Sequence, residues 1–267
     1  IMHDDPVLAD GLVQYVGQPV FAVYASSHEQ ARRAARKAVI GYETLPAVLT
    51  PQKAREKEQY VSPPMHLQRG DAEAALSKAK NRLSGEFEVG GQEHFYLEGQ
   101  ACYVSPKEDD SFHVWSSTQH PTEMQKVVGE VLKLRSHRIV VEMRRMGGGF
   151  GGKESQSALF CCVAALGASK LQRPVKLRLD RDDDFMATGK RHAFHYRYQV
   201  GYDDDGRITA AQIEMVSQAG FSADLSAPVA TRAVCHFDNA YFLSDVDIRA
   251  FCGKTNTQSN TAFRGFG

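Results

Sequence analysis

Apolar residues Met124, Val127, Val128, Val131 and Leu132 recur at three- and four-residue spacing behind Pro121, a stripe that predicts a core-facing helix over Pro121–Leu134. Period-two alternation predicts strands over Arg82–Val89, Ala101–Val104 and Phe112–Ser116, because successive strand side chains point to opposite faces. Near the start, Leu12–Tyr15 and Val20–Tyr24 read as short strands parted by Gly17-Gln18-Pro19. Ser27-His28-Glu29-Gln30 then has capping-box spacing ahead of a helix over Ala31–Ile40. Thr50–Arg69 is polar, with Pro51, Pro63 and Pro64, and predicts a linker with a helical turn around Gln52–Lys57. Asp71 reads as the N-cap of a helix over Ala72–Ala79. Further on, Arg138–Met143 and Pro174–Leu179 read as strands, and Ser155–Ser169 as a helix apolar nearly all round, hence buried. His195–Tyr202 and Arg207–Ser217 flank Asp203-Asp204-Asp205-Gly206, a hairpin turn that lacks the spaced ligands of a calcium loop. The expected fold is mixed α/β (α+β), with a small α/β domain over residues 1–60 and a larger domain over 61–267.

Composition narrows the function classes. With 42% hydrophobic and 24% charged residues the chain can bury a sizeable core, and 32 Lys plus Arg against 32 Asp plus Glu leave no global field for nucleic acid or an anionic membrane. No apolar run reaches the ~18 residues of a membrane span, and Ile1-Met2-His3-Asp4-Asp5 does not read as a leader, so a cytoplasmic protein is expected. Five cysteines, Cys102, Cys161, Cys162, Cys235 and Cys252, form no C-x-x-C pair, which argues against a disulfide framework or a metal cluster; adjacent Cys161 and Cys162 read as core. The chain opens on Ile1 and stops in glycine-rich Phe263–Gly267, like a piece of something longer.

The most informative stretch is Met146-Gly147-Gly148-Gly149-Phe150-Gly151-Gly152-Lys153-Glu154, between a predicted strand and a predicted helix. Glycine exposes backbone N–H groups to a ligand and a helix start favours an anion, so the loop reads as a cradle for a phosphorylated cofactor, with Lys153 and Glu154 at its mouth. Gly147, Gly149 and Gly152 satisfy G-x-G-x-x-G, and Asp180 closes the next strand where a ribose carboxylate would stand; this reading gives an NAD-binding Rossmann-type dehydrogenase. Gly147-x4-Gly152-Lys153 also matches a phosphate loop, but Glu154 stands where Mg²⁺ needs Ser or Thr.

A third reading covers essentially the whole chain. Gly90–Glu98 (Gly90-Gly91-Gln92-Glu93-His94-Phe95-Tyr96-Leu97-Glu98), Ser117-Thr118-Gln119, Arg145–Glu154, and Lys254-Thr255-Asn256 with Ser259–Gly267 resemble, in order, the motifs of the molybdenum-binding subunit of xanthine dehydrogenases, in the xanthine oxidase family of molybdenum hydroxylases. Gly17-Gln18-Pro19-Val20 and the following helix resemble that family's hammerhead α/β domain, entered part-way. The resemblance implies the hammerhead domain's C-terminal part over 1–60 and the first part of a molybdopterin-binding domain over 61–267.

The implied cofactor is molybdopterin in its sulfido form. Phe150 and Gly151 match loop positions whose backbone lies beside the metal, Gln119 the glutamine whose amide bonds a metal oxygen, and Arg264 an arginine whose loop touches the cofactor. Gln119, Phe150 and Arg264 are thus implied neighbours of molybdenum, not direct ligands. Glu154 and Arg232 match two polar pocket positions of xanthine oxidisers where aldehyde oxidases are apolar; alone, each is an ordinary surface or salt-bridge residue. Together they imply a purine, with Glu154 sharing hydrogen bonds with ring N–H groups and Arg232 stabilising charge on a carbonyl oxygen. Phe266 matches an aromatic that packs on the flat heterocycle.

The implied reaction is hydroxylation of hypoxanthine or xanthine, towards urate, with water as oxygen source. The family's general base, a glutamate, falls beyond Gly267, so the chain alone is expected to be inactive. The implied partners are the remainder of the molybdenum subunit and an iron–sulfur/FAD subunit carrying 2Fe-2S and flavin, in an oligomer, with no nucleic acid and no membrane. Rival readings are an aldehyde or N-heterocycle hydroxylase, the dinucleotide-binding dehydrogenase, and a non-catalytic scaffold fragment.

Overall fold

A computed structural model describes residues 5–266; Ile1–Asp4 and Gly267, which end the two predicted domains and the last motif, lie outside the described residues. In chain order the elements are α1 (His28–Ala35), α2 (Pro51–Glu56), β1 (Met65–Arg69), α3 (Ala72–Lys78), β2 (Asn81–Val89), β3 (Ala101–Pro106), β4 (Phe112–Ser116) and α4 (Pro121–Leu132). A 3₁₀ turn (Ser136–Arg138) leads to β5 (Ile139–Glu142), α5 (Ser157–Leu171), β6 (Val175–Arg178), α6 (Arg181–Ala187), β7 (Phe194–Tyr202), β8 (Ile208–Gly220), α7 (Ser226–Cys235) and β9 (Val246–Lys254). The mixed α/β class is as expected. By their contacts the residues form two interleaved units: residues 1–47 with 94–189, and residues 48–93 with 190–267.

The first unit is built on a four-stranded sheet in the order β5-β4-β3-β6, in which β4 and β5 run parallel and the other pairs antiparallel. Alternation works as read: Cys102 and Val104 of β3 and Phe112 and Val114 of β4 face the core, where they meet Met124 and Val128 of α4 and Cys161, Cys162 and Ala165 of α5. Burying a Met or Val of this kind contributes about 1.5–3 kcal/mol. Helix α4 begins at Pro121 and stops at Leu132, two residues short of the prediction, because Lys133 turns left-handed (φ 57°). Ser27 caps α1 by accepting from Gln30 N–H, as its spacing predicted.

Two expectations for this unit are corrected. Leu12–Tyr15 and Val20–Tyr24 form no strand ladder among the described residues. Their tyrosines act as anchors, Tyr24 donating to the Val163 carbonyl at 2.7 Å and Tyr15 to that of Ala187 at 3.4 Å. Gly167 of α5 is what admits Tyr24, since a Cβ there would stand 2.1 Å from its ring. Asp180 is not a free carboxylate awaiting a ribose: it caps α6 by accepting from Asp183 N–H, and it pairs with Arg32.

The second unit holds a five-stranded sheet, β1-β9-β8-β7-β2, antiparallel except for the β8/β9 pair, which α7 connects. Asp203 closes the predicted hairpin by accepting from the N–H groups of Asp205 and Arg207. Ile213 and Met215 of β8, Ile248 and Ala250 of β9, and Val229 and Val234 of α7 form its core. The segment Thr50–Arg69 is not a linker but contributes α2, capped by Thr50, and edge strand β1, paired with β9 over Met65–Arg69 and Val246–Ala250. Among the described residues no helix is long and apolar enough to cross a membrane.

Candidate functional site

The glycine loop joins β5 to α5, at the end of the first unit's sheet where β4 also finishes and β3 begins. Its backbone is wound tightly, with Gly148, Phe150 and Gly151 at φ 95°, 53° and 96°. A bulky aromatic at positive φ is costly unless its surroundings impose it, and the Phe150 ring is left 45% exposed. Close approach explains the flanking glycines: a Cβ on Gly147 would stand 2.5 Å from that of Glu98, and one on Gly149 would stand 2.5 Å from Gln119 Oε1.

Side chains from distant segments hold this shape. Gln119, just past β4, accepts through Oε1 from Gly151 N–H (2.9 Å) and Lys153 N–H (3.2 Å), while its own N–H donates to the Lys153 carbonyl (2.8 Å). Because two backbone donors occupy Oε1, the remaining end of the amide is the Nε2 donor, which has no acceptor among the described residues. The N–H groups of Gly148, Gly149 and Phe150 likewise have no acceptor among them, although Gly149 is buried. Buried N–H groups are rarely left so, and four donors at one loop point to an oxygen-rich or anionic ligand.

Lys153 does not stand at the mouth of the cradle. It is fully buried (0% exposed), and Nζ donates to the Glu98 carbonyl at 2.6 Å and Ser117 Oγ at 2.7 Å, lies 3.5 Å from the Glu98 carboxylate and sits 4.5 Å from the Tyr96 ring centre. Burial pushes the ammonium below its ordinary pKa, and Glu98 pulls it partly back. Burial pushes Glu98 the other way, but its bonds from Ser117 Oγ (2.6 Å) and Gly147 N–H (2.9 Å), together with Lys153, leave the carboxyl below its usual range. Beneath lies a second layer. Tyr96 donates to Asp184 (2.6 Å), Gln100 Nε2 donates to the Gly152 carbonyl (3.1 Å), and Ser157 donates to Gln100 Oε1 (3.1 Å). Burial, then Asp184, raises the Tyr96 hydroxyl so that it stays a donor. Sequence reasoning quoted Tyr96, Glu98 and Ser117 within motifs without giving them work, and it gave no role to Asp184, which is fully buried. Their contacts join segments far apart in the chain, so no local spacing announced them.

The structure therefore brings Gln119, Phe150 and Gly151 together in the first unit. Glu154, next along the same loop, is half-buried and has no hydrogen-bond or ion-pair partner among the described residues. Arg232, Arg264 and Phe266 belong to the second unit. Arg232 lies exposed on α7 and its guanidinium has no partner among the described residues, so neither it nor Glu154 is spent on a salt bridge. Arg264 leaves its side chain exposed while its carbonyl accepts from Arg191 Nη2 at 2.6 Å, and Arg191 covers the Phe263 ring at 4.1 Å. Phe266 packs partly buried against its unit's core. No hydrogen bond or ring contact joins the Arg232, Arg264 and Phe266 side chains among the described residues.

Free backbone donors on a rigidly supported glycine loop define a protein that holds an anionic, oxygen-rich cofactor on an α/β framework. A molybdopterin cofactor-binding domain matches residues 52–267 and the a/b hammerhead domain of aldehyde oxidase and xanthine dehydrogenase matches residues 1–46, so the chain belongs to the molybdopterin cofactor-binding domain family. It is 43% identical to the xanthine dehydrogenase/oxidase of Mus musculus and 42% identical to the nicotinate hydroxylase of Emericella nidulans, each over 100% of this chain and 20% of that protein. The chain thus spans about a fifth of the length of these curated relatives. Its fold is similar to that of quinoline 2-oxidoreductase from Pseudomonas putida (TM-score 0.90, 24% identity, 98% of this chain and 35% of that one). It is also similar to the aldehyde oxidoreductase from Desulfovibrio gigas (TM-score 0.83, 23% identity, 91% and 28%). The dinucleotide reading of G-x-G-x-x-G is thereby corrected: Asp180 is engaged in a cap and an ion pair, and β5 and β6 stand at opposite edges of their sheet, not side by side in a βαβ crossover.

Proposed function

We propose that this chain is part of a molybdenum hydroxylase that oxidises a purine, hypoxanthine or xanthine, with water as the oxygen source. The observation that carries the reading is the unspent Glu154 carboxylate, half-buried beside the glycine loop with no partner among the described residues; the Arg232 guanidinium is likewise without one. A bound molybdenum cofactor would supply the oxygen-transfer and redox chemistry. The loop residues fit it: the N–H groups of Gly148, Gly149 and Phe150 and the Gln119 amide are the donors that would hold it, and the family resemblance assigns Arg264 to the same cofactor. Glu154 would accept hydrogen bonds from ring N–H groups and so orient the heterocycle. Arg232 would offset negative charge gathering on a substrate carbonyl oxygen, and Phe266 would present an aromatic edge or face to the planar ring. The proton-accepting base, the 2Fe-2S and FAD carriers and the rest of the molybdenum subunit would come from the remainder of a cytoplasmic, oligomeric enzyme.

A second reading, hydroxylation of a carboxylated N-heterocycle, is favoured by the relative named nicotinate hydroxylase. An unpaired guanidinium suits a carboxylate, but Glu154 would repel one. Steady-state assays of the full-length enzyme with xanthine, hypoxanthine, nicotinate and an aromatic aldehyde separate these. Glu154→Val and Arg232→Met should each lower kcat/KM for the purine by about ten- to a hundredfold, or about 1.4–2.8 kcal/mol of transition-state stabilisation, with metal content unchanged and aldehyde turnover less affected. Turnover of nicotinate or aldehyde with none of purine would displace the proposal.

A further inference from the structure

We propose that Lys153 is a positioning residue: with Glu98 and Ser117 it clamps both ends of the glycine loop to one hub, so that the loop's free N–H groups are aimed before any cofactor arrives. The hub is a single residue, Glu98, which uses its carboxylate, its N–H and its carbonyl. Glu98 takes the Gly147 N–H on its carboxylate while its own N–H donates to the Gly147 carbonyl at 3.0 Å, fixing the entry of the loop. Lys153 fixes the exit, its Nζ on the Glu98 carbonyl and Ser117 Oγ and its backbone bonded in both directions to Gln119. Ser117 closes the triangle by donating to Glu98 and accepting from Lys153.

A fully buried ammonium is a poor means of stability, since an apolar side chain of similar length packs as well without the desolvation penalty. Methionine could fill the same space. What methionine lacks is the set of donors that fixes the Glu98 carbonyl and Ser117 together. The Gln119 amide inherits its orientation from the same clamp, because Lys153 N–H occupies one side of Oε1.

The test uses the full-length enzyme and reads bound molybdenum per polypeptide in Lys153→Met. The control is Val128→Ala, a fully buried position of α4 in the same unit with no bond to the loop, which lowers thermal stability. Lys153→Met should lose at least tenfold in bound molybdenum, Val128→Ala none, and Ser117→Ala, which keeps the charge and removes one acceptor, should lose less than Lys153→Met. In whatever fraction stays loaded, the molybdenum(V) resonance should change in Lys153→Met and keep its wild-type form in Val128→Ala. Wild-type metal content and signal in Lys153→Met, or equal losses in Val128→Ala, would overturn the proposal. Should Lys153→Met fail to fold, full metal content in soluble Ser117→Ala overturns it. Metal content does not depend on substrate, so failure here is distinct from failure of the purine reading.

Discussion

Two glycine-bearing loops, one in each unit, are tied down by different means. In the first unit the loop at residues 147–153 is gripped by side chains, with Glu98 and Gln119 accepting from its N–H groups and its own Lys153 reaching back to the Glu98 carbonyl. In the second, the loop at residues 255–266 is held at its base by backbone and amide bonds. Asn260 donates to the carbonyls of Ala219 and Gln218, and Thr261 N–H donates to that of Lys190. Its tip, Arg264-Gly265, is exposed, and Arg191 donates to the Arg264 carbonyl. A loop gripped along its length keeps one shape, whereas a loop anchored at its base can adjust its tip. The difference teaches that the first loop presents its donors ready-made, whereas the second leaves the Arg264 side chain exposed between held neighbours, Phe263 under Arg191 and Phe266 against the unit's core.

The sharpest way to break the contrast is at the base of the second loop. Gly220 has φ 95°, and a Cβ there would stand 2.1 Å from the Gln258 carbonyl oxygen. Gly220→Ala should therefore cost about 3 kcal/mol or more through strain and displaced backbone, seen as loss of amide protection across β8 and the loop but not in the first unit. A smaller effect comes from pH. His192 lies 2.7 Å from Ser226 Oγ at the start of α7, and burial pushes its pKa from 6.5 to about 4. The folded state thus refuses a proton that the unfolded state accepts. Stability is complete above pH 6.5, falls by about 2 kcal/mol at pH 5 and about 3 kcal/mol at pH 4, then levels off. Protection of the α7 amides, compared between wild type and His192→Asn, should lose most of its pH dependence in the variant. An unchanged pH profile would count against the buried neutral imidazole. The smallest effect is at the tip, where Arg191→Met should cost about 1 kcal/mol, raise exchange at residues 263–266 and leave the first loop as it was.

Elements set by local chemistry were legible in the sequence. Pro121 and the stripe behind it placed α4, Asp71 capped α3, and β4 ran over the residues its alternation predicts. Elements set by distant pairing were not. Strand β1 is polar because it lies at a sheet edge with much of its surface exposed, and what makes it a strand is β9, some 180 residues on. Leu12–Tyr15 and Val20–Tyr24 carry strand-like residues, yet their tyrosines find carbonyls in the helical layer in place of a partner strand. Helix α7 and strand β9 had no motif to announce them. At the site, the glycines were readable because few residue types permit such backbone contacts, whereas Gln119 was singled out only through the family resemblance. Lys153 was misplaced because a charged side chain belongs in water unless partners from elsewhere in the chain, here Glu98 and Ser117, satisfy it.

The account rests on the glycine loop being the cofactor cradle and Glu154 beside it being free for substrate. Molybdenum and pterin per polypeptide, measured in the full-length enzyme for Gly151→Val and Glu154→Val, test this directly. Gly151 sits at φ 96° against Gln119, so a branched side chain there should abolish loading, while Glu154→Val should stay loaded to the wild-type level. Full loading of Gly151→Val, or equal loss in both variants, would contradict it.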